Sequence, residues 1–256
     1  MDVVSMVVQV IPLRGLPIVG VGDKISQLIC DAAESQNTPV QDDDVIVVTH
    51  VLVSRAEGNV VDLETVDPSE FAKTIARRSD KDPALVEVVL RESEGIVRMR
   101  NGSIITLTKH GLICANSGID KSNVPGTRTV ALLPRDPDKS ARQIREGIKD
   151  HTGKTVAVII SDTHGRPLRD GEINIAIGVA GLVPLRDRRG EKDLFSYVLT
   201  IKRTAIADEL ASAAELVIGQ ADEAIPVAII RGYTYQKSET ATAKDMLRPL
   251  EKELFL

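Results

Sequence analysis

The chain has 256 residues, enough to bury a substantial core as one large domain or two interlocked subdomains. Hydrophobic residues at 43% and charged residues at 27% are ordinary for a globular protein, while a net charge of −5, 2% aromatics and no tryptophan argue against a nucleic-acid partner that needs basic patches and stacking platforms. No apolar run approaches the ~18 residues of a membrane-spanning helix, and the N-terminus lacks a basic leader, so a cytoplasmic protein is expected.

Read from the N-terminus, residues 1–11 form a first strand and residues 12–17 a loop. Asp23 is placed to cap a helix whose apolar face is Ile25, Leu28, Ile29 and Ala32. The next strand covers residues 45–48. Asp67-Pro-Ser-Glu70 combines a cap, a proline at the first helical position and a Glu three residues on, and Asp82-Pro83 opens a second helix through Leu85, Val88 and Val89. Short strands follow at residues 104–108, 112–115 and 129–133, then Asp136-Pro137 opens a helix that ends near His151. Beyond a buried strand at 156–160, residues 173–185 are rich in Ile, Val, Ala and Gly, and residues 197–202 alternate like an exposed strand. A helix at 207–217, a buried strand through Ile230 and a C-terminal helix complete the order. Helices and strands mix without strict β-α-β alternation, which favours an irregular α+β fold over a doubly wound sheet. Cys30 and Cys114 lie in apolar surroundings without metal-ligand spacing and read as free core thiols.

Most of the chemistry falls where the 156–160 strand gives way to Ser161, Asp162, Thr163 and His164. Open sheets commonly place their reactive groups at the carboxyl ends of strands. Residues 113–123 repeat the layout and deliver Asp120 beside Gly118 and Asn123. Two carboxylates among hydroxyl and amide oxygens are the hard ligands Mg²⁺ or Mn²⁺ accepts, usually alongside phosphate oxygens. Arg166, Arg169, Arg186, Arg188 and Arg189 then read as clamps on anionic substrate groups. The plainer alternative is that each Asp is a turn or cap residue and the arginines belong to a solvated loop. Ser161 and His164 lack a Gly-x-Ser-x-Gly setting for a nucleophile. Residues 147–155 superficially look like a P-loop, but five residues separate the glycines and the segment runs from helix to strand, which makes Gly153 a helix C-cap instead. Gly20-Val-Gly22 lacks the third glycine of a dinucleotide fingerprint.

Five motifs in series, Arg14-Gly-Leu-Pro17, Val53-Ser-Arg-Ala-Glu-Gly58, Asn116-Ser-Gly-Ile-Asp-Lys-Ser-Asn-Val124, Ser161-Asp-Thr-His-Gly-Arg-Pro167 and Gly219-Gln-Ala-Asp-Glu-Ala-Ile-Pro226, resemble the coenzyme F420-0:γ-glutamyl ligase family over nearly the whole chain. The resemblance implies a two-lobed α+β fold peculiar to the family, one catalytic domain over residues 1–256 without a clear linker, and an intertwined homodimer. Carried over residue by residue, it puts metal ligands on Asp120, Asp162 and Thr163, with Gln220 at a position held by Glu or Gln in relatives, and makes Asp120 and Asp162 the catalytic centre. The implied ions are Mg²⁺ or Mn²⁺, with K⁺ as a further candidate. Guanine-nucleotide contacts fall on Gly15, Leu16, Pro17, Ile18, Thr49, His50, Ser54, Arg55 and Asn123, and on Ile218, Gly219, Gln220, Ala221, Asp222, Glu223, Ala224 and Ile225. Arg55 stands where Lys is usual, and His50 where a different polar residue is more frequent. The implied activity is GTP-dependent joining of L-glutamate to the lactyl carboxylate of F420-0 and extension of a γ-linked tail through an acyl phosphate. Arg166, Arg169 and Arg186 then become candidates for the F420-0 or glutamate anions. The same two acids would also serve a metal-dependent phosphohydrolase, and the same loops a non-catalytic nucleotide-binding regulator.

Overall fold

A computed structural model describes residues 7–252. In chain order its strands and helices are β1 (Gln9–Pro12), α1 (Ile25–Ser35), β2 (Val45–Thr49), α2 (His50–Ala56), β3 (Val60–Asp62), α3 (Glu70–Ser79), α4 (Pro83–Arg91), β4 (Ser93–Arg100), β5 (Ser103–Thr108), β6 (Ile113–Ala115) and β7 (Thr129–Ala131). These are followed by α5 (Pro137–Thr152), β8 (Ala157–Arg166), β9 (Arg169–Leu182), β10 (Leu185–Asp187), β11 (Arg203–Ala205), α6 (Ile206–Ile218), β12 (Val227–Arg231) and β13 (Lys237–Ser238).

The main sheet has six strands in the order β1-β12-β2-β8-β9-β13, and only β2 and β8 run parallel in it. Its centre is the all-apolar run of β2 beside Ala157–Ile160, buried on both faces. Strand alternation divides these side chains between two cores. Ile46, Val48, Val158 and Ile160 face the layer of α1 and α5, whereas Val45, Val47, Ala157 and Ile159 face α6. A third cluster, with Leu63, Ile75, Leu85, Val89, Ile104 and Val130, is built by α3, α4 and the small sheets β3-β7 and β4-β5-β6. This mixture of one mostly antiparallel sheet, three smaller ones (β3-β7, β4-β5-β6 and β10-β11) and helices on both faces is the α+β arrangement expected.

Several local expectations hold for local reasons. Asp82 and Asp136 cap α4 and α5 with a proline following each, and Gly153 ends α5 at φ 72°, where only glycine is unstrained. Others need correction. Asp23 accepts from the Gly20 N–H at 2.8 Å and closes the turn upstream, leaving Lys24 at the α1 N-cap without a side-chain bond. Ser69, not Asp67, caps α3 by accepting from the Ala72 N–H. Residues 197–202 are not a strand: one isolated bridge, Val198 to Lys192, and scattered backbone bonds to residues 188–193 hold them, and Leu194, Phe195, Tyr197 and Ile201 are exposed. β8 does not end at Ile160 but continues through Ser161, Asp162 and Thr163 to Arg166, as one arm of a hairpin with β9. Residues 50–56, to which the sequence assigns no element, form α2. β4 escapes the sequence reading because it carries a Gly and three charged residues and is a strand only through pairing with β5 across two irregularities of register. The C-terminal helix is replaced, among the described residues, by two short 3₁₀ turns at Ala243–Met246 and Leu250–Lys252. The first strand is seen from Gln9, and its expected beginning at residues 1–6 lies outside the described residues. Both cysteines are free and buried, and burial pushes the Cys114 thiol up to about 12. Among the described residues no helix is long and apolar enough to cross a membrane.

Candidate functional site

The parallel pairing of β2 with β8 runs out at Thr49 and Ser161. There the two chains part: β2 turns directly into α2 at His50, while β8 runs on into its hairpin. The next residue of each therefore meets the other, and His50 Nε2 lies 3.3 Å from Asp162 Oδ1 with both side chains buried. Burial drives the Asp162 carboxyl above its ordinary value, opposed by the nearby His50 and His164 imidazoles and the Thr163 N–H, while the Asp120 carboxylate adds to the rise. Thr163 pairs across the ladder with Asn174, and its hydroxyl donates to Asn174 Oδ1 at 3.0 Å. Gln220 meets the same hydroxyl at 3.1 to 3.2 Å and donates from Nε2 to Glu215 Oε1 at 3.0 Å. Strand, hairpin partner and the loop after α6 thus place four polar side chains around one point.

Asp120 arrives by a different route. Two consecutive left-handed residues, Asn116 (φ 50°) and Ser117 (φ 58°), turn the chain after β6. The bend is fixed from inside, because the buried Ser117 hydroxyl donates to Val89 O at 2.9 Å and its N–H to Thr106 Oγ1 at 3.0 Å. Gly118 follows at φ 69°, and any Cβ there would come within 2.9 Å of Leu133. Asp120 then exchanges both backbone bonds with Ala131, and its Oδ1 accepts from the Ser122 N–H at 2.7 Å and hydroxyl at 2.8 Å. Asp120 is therefore a turn residue as well as a site candidate.

A cavity of about 450 Å³ gathers these pieces. Leu16, Pro17, Ile18, Thr49, His50, Arg55, Asp120, Asn123, Thr163 and the whole of 218–225 line it, as do Ser122, Ser161 and Asn174. Asp162 lies just beneath, 6% exposed. Gly15 is not part of the lining, and neither is Ser54, whose buried hydroxyl donates to Leu132 O at 2.6 Å and fastens α2 to the chain after β7. Arg55 donates to Val19 O at 2.7 Å and to Asn123 O at 3.3 Å, so its fork ties together two loops of the cavity wall, which a single ammonium does less well. The arginines after Asp162 point elsewhere. Arg166 reaches the carbonyls of Asp170 and Gly171, Arg188 pairs with Glu191 and Arg189 with Asp187, and neither Arg169 nor Arg186 lines the cavity. Sequence reasoning missed Asn174, Glu215 and Ser122. Asn174 had a signal, since a polar residue between Ile173 and Ile175 in an apolar run is the kind that is buried only with partners.

Among the described residues no three His, Cys, Asp or Glu side chains converge as a metal cage. The donors that do converge, Asp120, Asp162, Thr163 and Gln220, are all oxygen-bearing, and the buried Ser161 hydroxyl has no hydrogen-bond partner. Two carboxylates with open positions fit a hard cation such as Mg²⁺, which takes few protein ligands and fills its shell with water and phosphate oxygens.

The F420-0:Gamma-glutamyl ligase family matches residues 15–232. Similar relatives named coenzyme F420:L-glutamate ligase come from Methanothermobacter thermautotrophicus, 47% identical over 98% of this chain and 99% of the relative, and from Methanocaldococcus jannaschii, 46% identical over 97% and 96%. A more distant relative of the same name, from Haloarcula marismortui, is 38% identical over 96% and 95%. With end-to-end similarity of this degree, the chain belongs to the F420-0:gamma-glutamyl ligase family.

Proposed function

We propose that the protein is a GTP- and divalent-metal-dependent ligase that joins L-glutamate to coenzyme F420-0 and extends a γ-linked glutamyl tail. The observation that supports this best is the cavity itself, where the loops at 16–18, 120–125 and 218–226 and the start of α2 surround the oxygen donors Asp120, Thr163 and Gln220, with Asp162 the strand neighbour of Thr163. A carboxylate is a poor electrophile at neutral pH, so the reaction is taken to proceed in two steps. The lactyl carboxylate oxygen attacks the γ-phosphorus of GTP and GDP leaves; the glutamate nitrogen then attacks the acyl carbon, phosphate leaves and the nitrogen loses a proton. A bound Mg²⁺ or Mn²⁺, with K⁺ as a further ion, would neutralise phosphate charge. The protein's part is positional. His50 holds Asp162, the Thr163–Asn174–Gln220 network fixes the oxygens beside it, and Arg55 keeps the two wall loops at a set distance. Preference for guanine over adenine rests on the family resemblance.

The exposed apolar side chains Leu194, Phe195, Tyr197 and Ile201, between β10 and β11, support the homodimer that the resemblance implies, because a patch of this kind is ordinarily covered. Sedimentation of the wild type should give twice the chain mass, and a monomer would count against the dimer. Mass spectrometry of F420-0 incubated with the enzyme, GTP, Mn²⁺ and labelled glutamate tests the activity, with γ-linked labelled product and glutamate-dependent GDP release expected. GDP release without glutamate would favour a phosphohydrolase. No turnover would favour a nucleotide-binding regulator.

A further inference from the structure

A second cavity, of about 650 Å³, is walled by β9, the segment after β7 and the 3₁₀ turn at Ala243–Met246. It adjoins the reacting end of the hairpin. Strand alternation sends Asp162 to the same face as Val158 and Ile160, and its cross-strand partner is Ile175, which lines this second cavity. On the other side, Leu133 lines the cavity two residues after Ala131, the partner of Asp120. Asp162 thus sits across the ladder from a residue of the cavity wall, and Asp120 is bridged to the strand β7, whose continuation forms another part of that wall.

That wall is built rather than incidental. Between Ile160 and Ser161 the register slips, because β9 carries an extra residue there, Ile177. The N–H groups of Ala176 and Val179 are taken instead by Asp208 Oδ1 and Asp138 Oδ1, both at 2.9 Å, and Asp138 Oδ1 also accepts from Ala243 at 2.9 Å. Two helices and the 3₁₀ turn are therefore pinned to the bulge, and Ile175, Ile177, Leu133 and Met246 give the cavity an apolar wall. At the rim Arg135 and Lys244 are exposed, and no hydrogen bond or ion pair among the described residues engages either side chain.

We propose that this second cavity binds the acceptor of the ligation, an F420-0-type organic anion, with its ring body against Ile175, Ile177, Leu133 and Met246, its phosphodiester at Arg135 and Lys244, and its carboxylate directed to the hairpin end that carries Asp162. The proposal rests on reading the protein as an F420-0:glutamate ligase. Glutamate alone is too small and too polar for a cavity with this wall, and the nucleotide has a cavity of its own, so the substrate that joins an apolar ring to two anionic groups is the one whose chemistry fits.

Calorimetric titration of the full chain with F420-0 and, separately, with GTP tests this. The double variant Arg135→Glu/Lys244→Glu should weaken F420-0 binding by about tenfold or more, since charge-assisted contacts to the phosphodiester are replaced by repulsion, and leave GTP affinity within about twofold. Met246→Trp, which fills the cavity from its 3₁₀ turn, should abolish F420-0 binding with GTP binding retained as proof of folding. If both variants bind F420-0 like the wild type, the cavity is not the acceptor site and the ligase reading stands. If the wild type itself binds no F420-0, the ligase reading and this assignment fall together.

Discussion

Asp162 sits in a strand that is hydrogen-bonded along a hairpin and is 6% exposed, whereas Asp120 sits in a half-buried turn whose own Ser122 closes it. Each carboxylate reaches the same site, but the rigid one is set by the sheet and the other by local backbone. The buried carboxyl bears the cost of that placement, since burial holds it above its ordinary value. Asp120 is only half-buried, and two donors from Ser122 satisfy one of its oxygens. The difference separates what each residue does for folding from what it does for chemistry.

The largest effect expected is on turnover. Replacing Asp162 by Asn keeps the shape and removes the charge that would hold a hard cation, so activity should fall by about three orders of magnitude or more, at ~1.4 kcal/mol per tenfold. Folding should not suffer, and in metal-free buffer Asp162→Asn should melt no lower than the wild type, because a costly buried charge has gone. Asp120→Asn should lose activity to a similar extent with stability unchanged within about 0.5 kcal/mol, since the Asn carbonyl still accepts from Ser122. The double variant should lose little beyond either single one, as both serve one unit. Near wild-type kcat in Asp162→Asn would make Asp162 a structural strand residue and end the metal-centred mechanism.

A smaller effect, and one confined to the sheet side of the comparison, is expected from Asn174. Its side chain is 2% exposed and accepts from the Thr163 hydroxyl and from Gln220 Nε2. Asn174→Ala removes this shared acceptor from a buried site while Thr163 and Gln220 keep each other and Glu215 as partners, which should cost about 1 kcal/mol of stability by chemical denaturation. Loosening of Thr163 and Gln220 should weaken Mn²⁺ affinity, measured by titration in the presence of GTP, by about ten- to a hundredfold. Unchanged Mn²⁺ affinity in a destabilised variant would restrict Asn174 to packing.

What could be read from the residues follows the same division between local and long-range causes. The starts of α4 and α5 and the C-cap at Gly153 are decided within four residues of chain, and so were legible. The continuation of β8 through Asp162, Thr163, His164 and Gly165 was not, because its polar run is a strand only by pairing with β9. Residues 197–202 erred the other way: their alternation mimics a half-buried strand, yet the scattered backbone bonds to residues 188–193 do not add up to a continuous ladder. In the site, Asp120 and Asp162 stood out from their flanking residues. The loops at 16–18 and 218–225 carry no chemistry that singles them out, and their part in the cavity was anticipated only through the family resemblance. The reach of Arg166, Arg188 and Arg189 was misjudged since each finds its partner within five residues, which a search for substrate clamps overlooks.

The finest test of the two routes lies in the turn. Ser122 gives Asp120 two donors, a hydroxyl at 2.8 Å and an N–H at 2.7 Å, and Ser122→Ala removes only the first. The backbone bond exchanged with Ala131 survives, so the turn should persist and the melting temperature should stay within about a degree, as for most surface substitutions. Loss of one hydrogen bond to a carboxylate that must be held in place is worth ~1 kcal/mol, which predicts a drop in kcat/KM of about fivefold. That value lies far above the noise of a GDP-release assay and far below the Asp120→Asn effect. A fall as deep as that of Asp120→Asn would mean the hydroxyl itself meets the nucleotide or the cation. No fall at all would mean that the backbone bonds to Ala131 and the strained pair Asn116–Ser117 fix Asp120 unaided, which would bring the turn closer to the rigidity of the sheet.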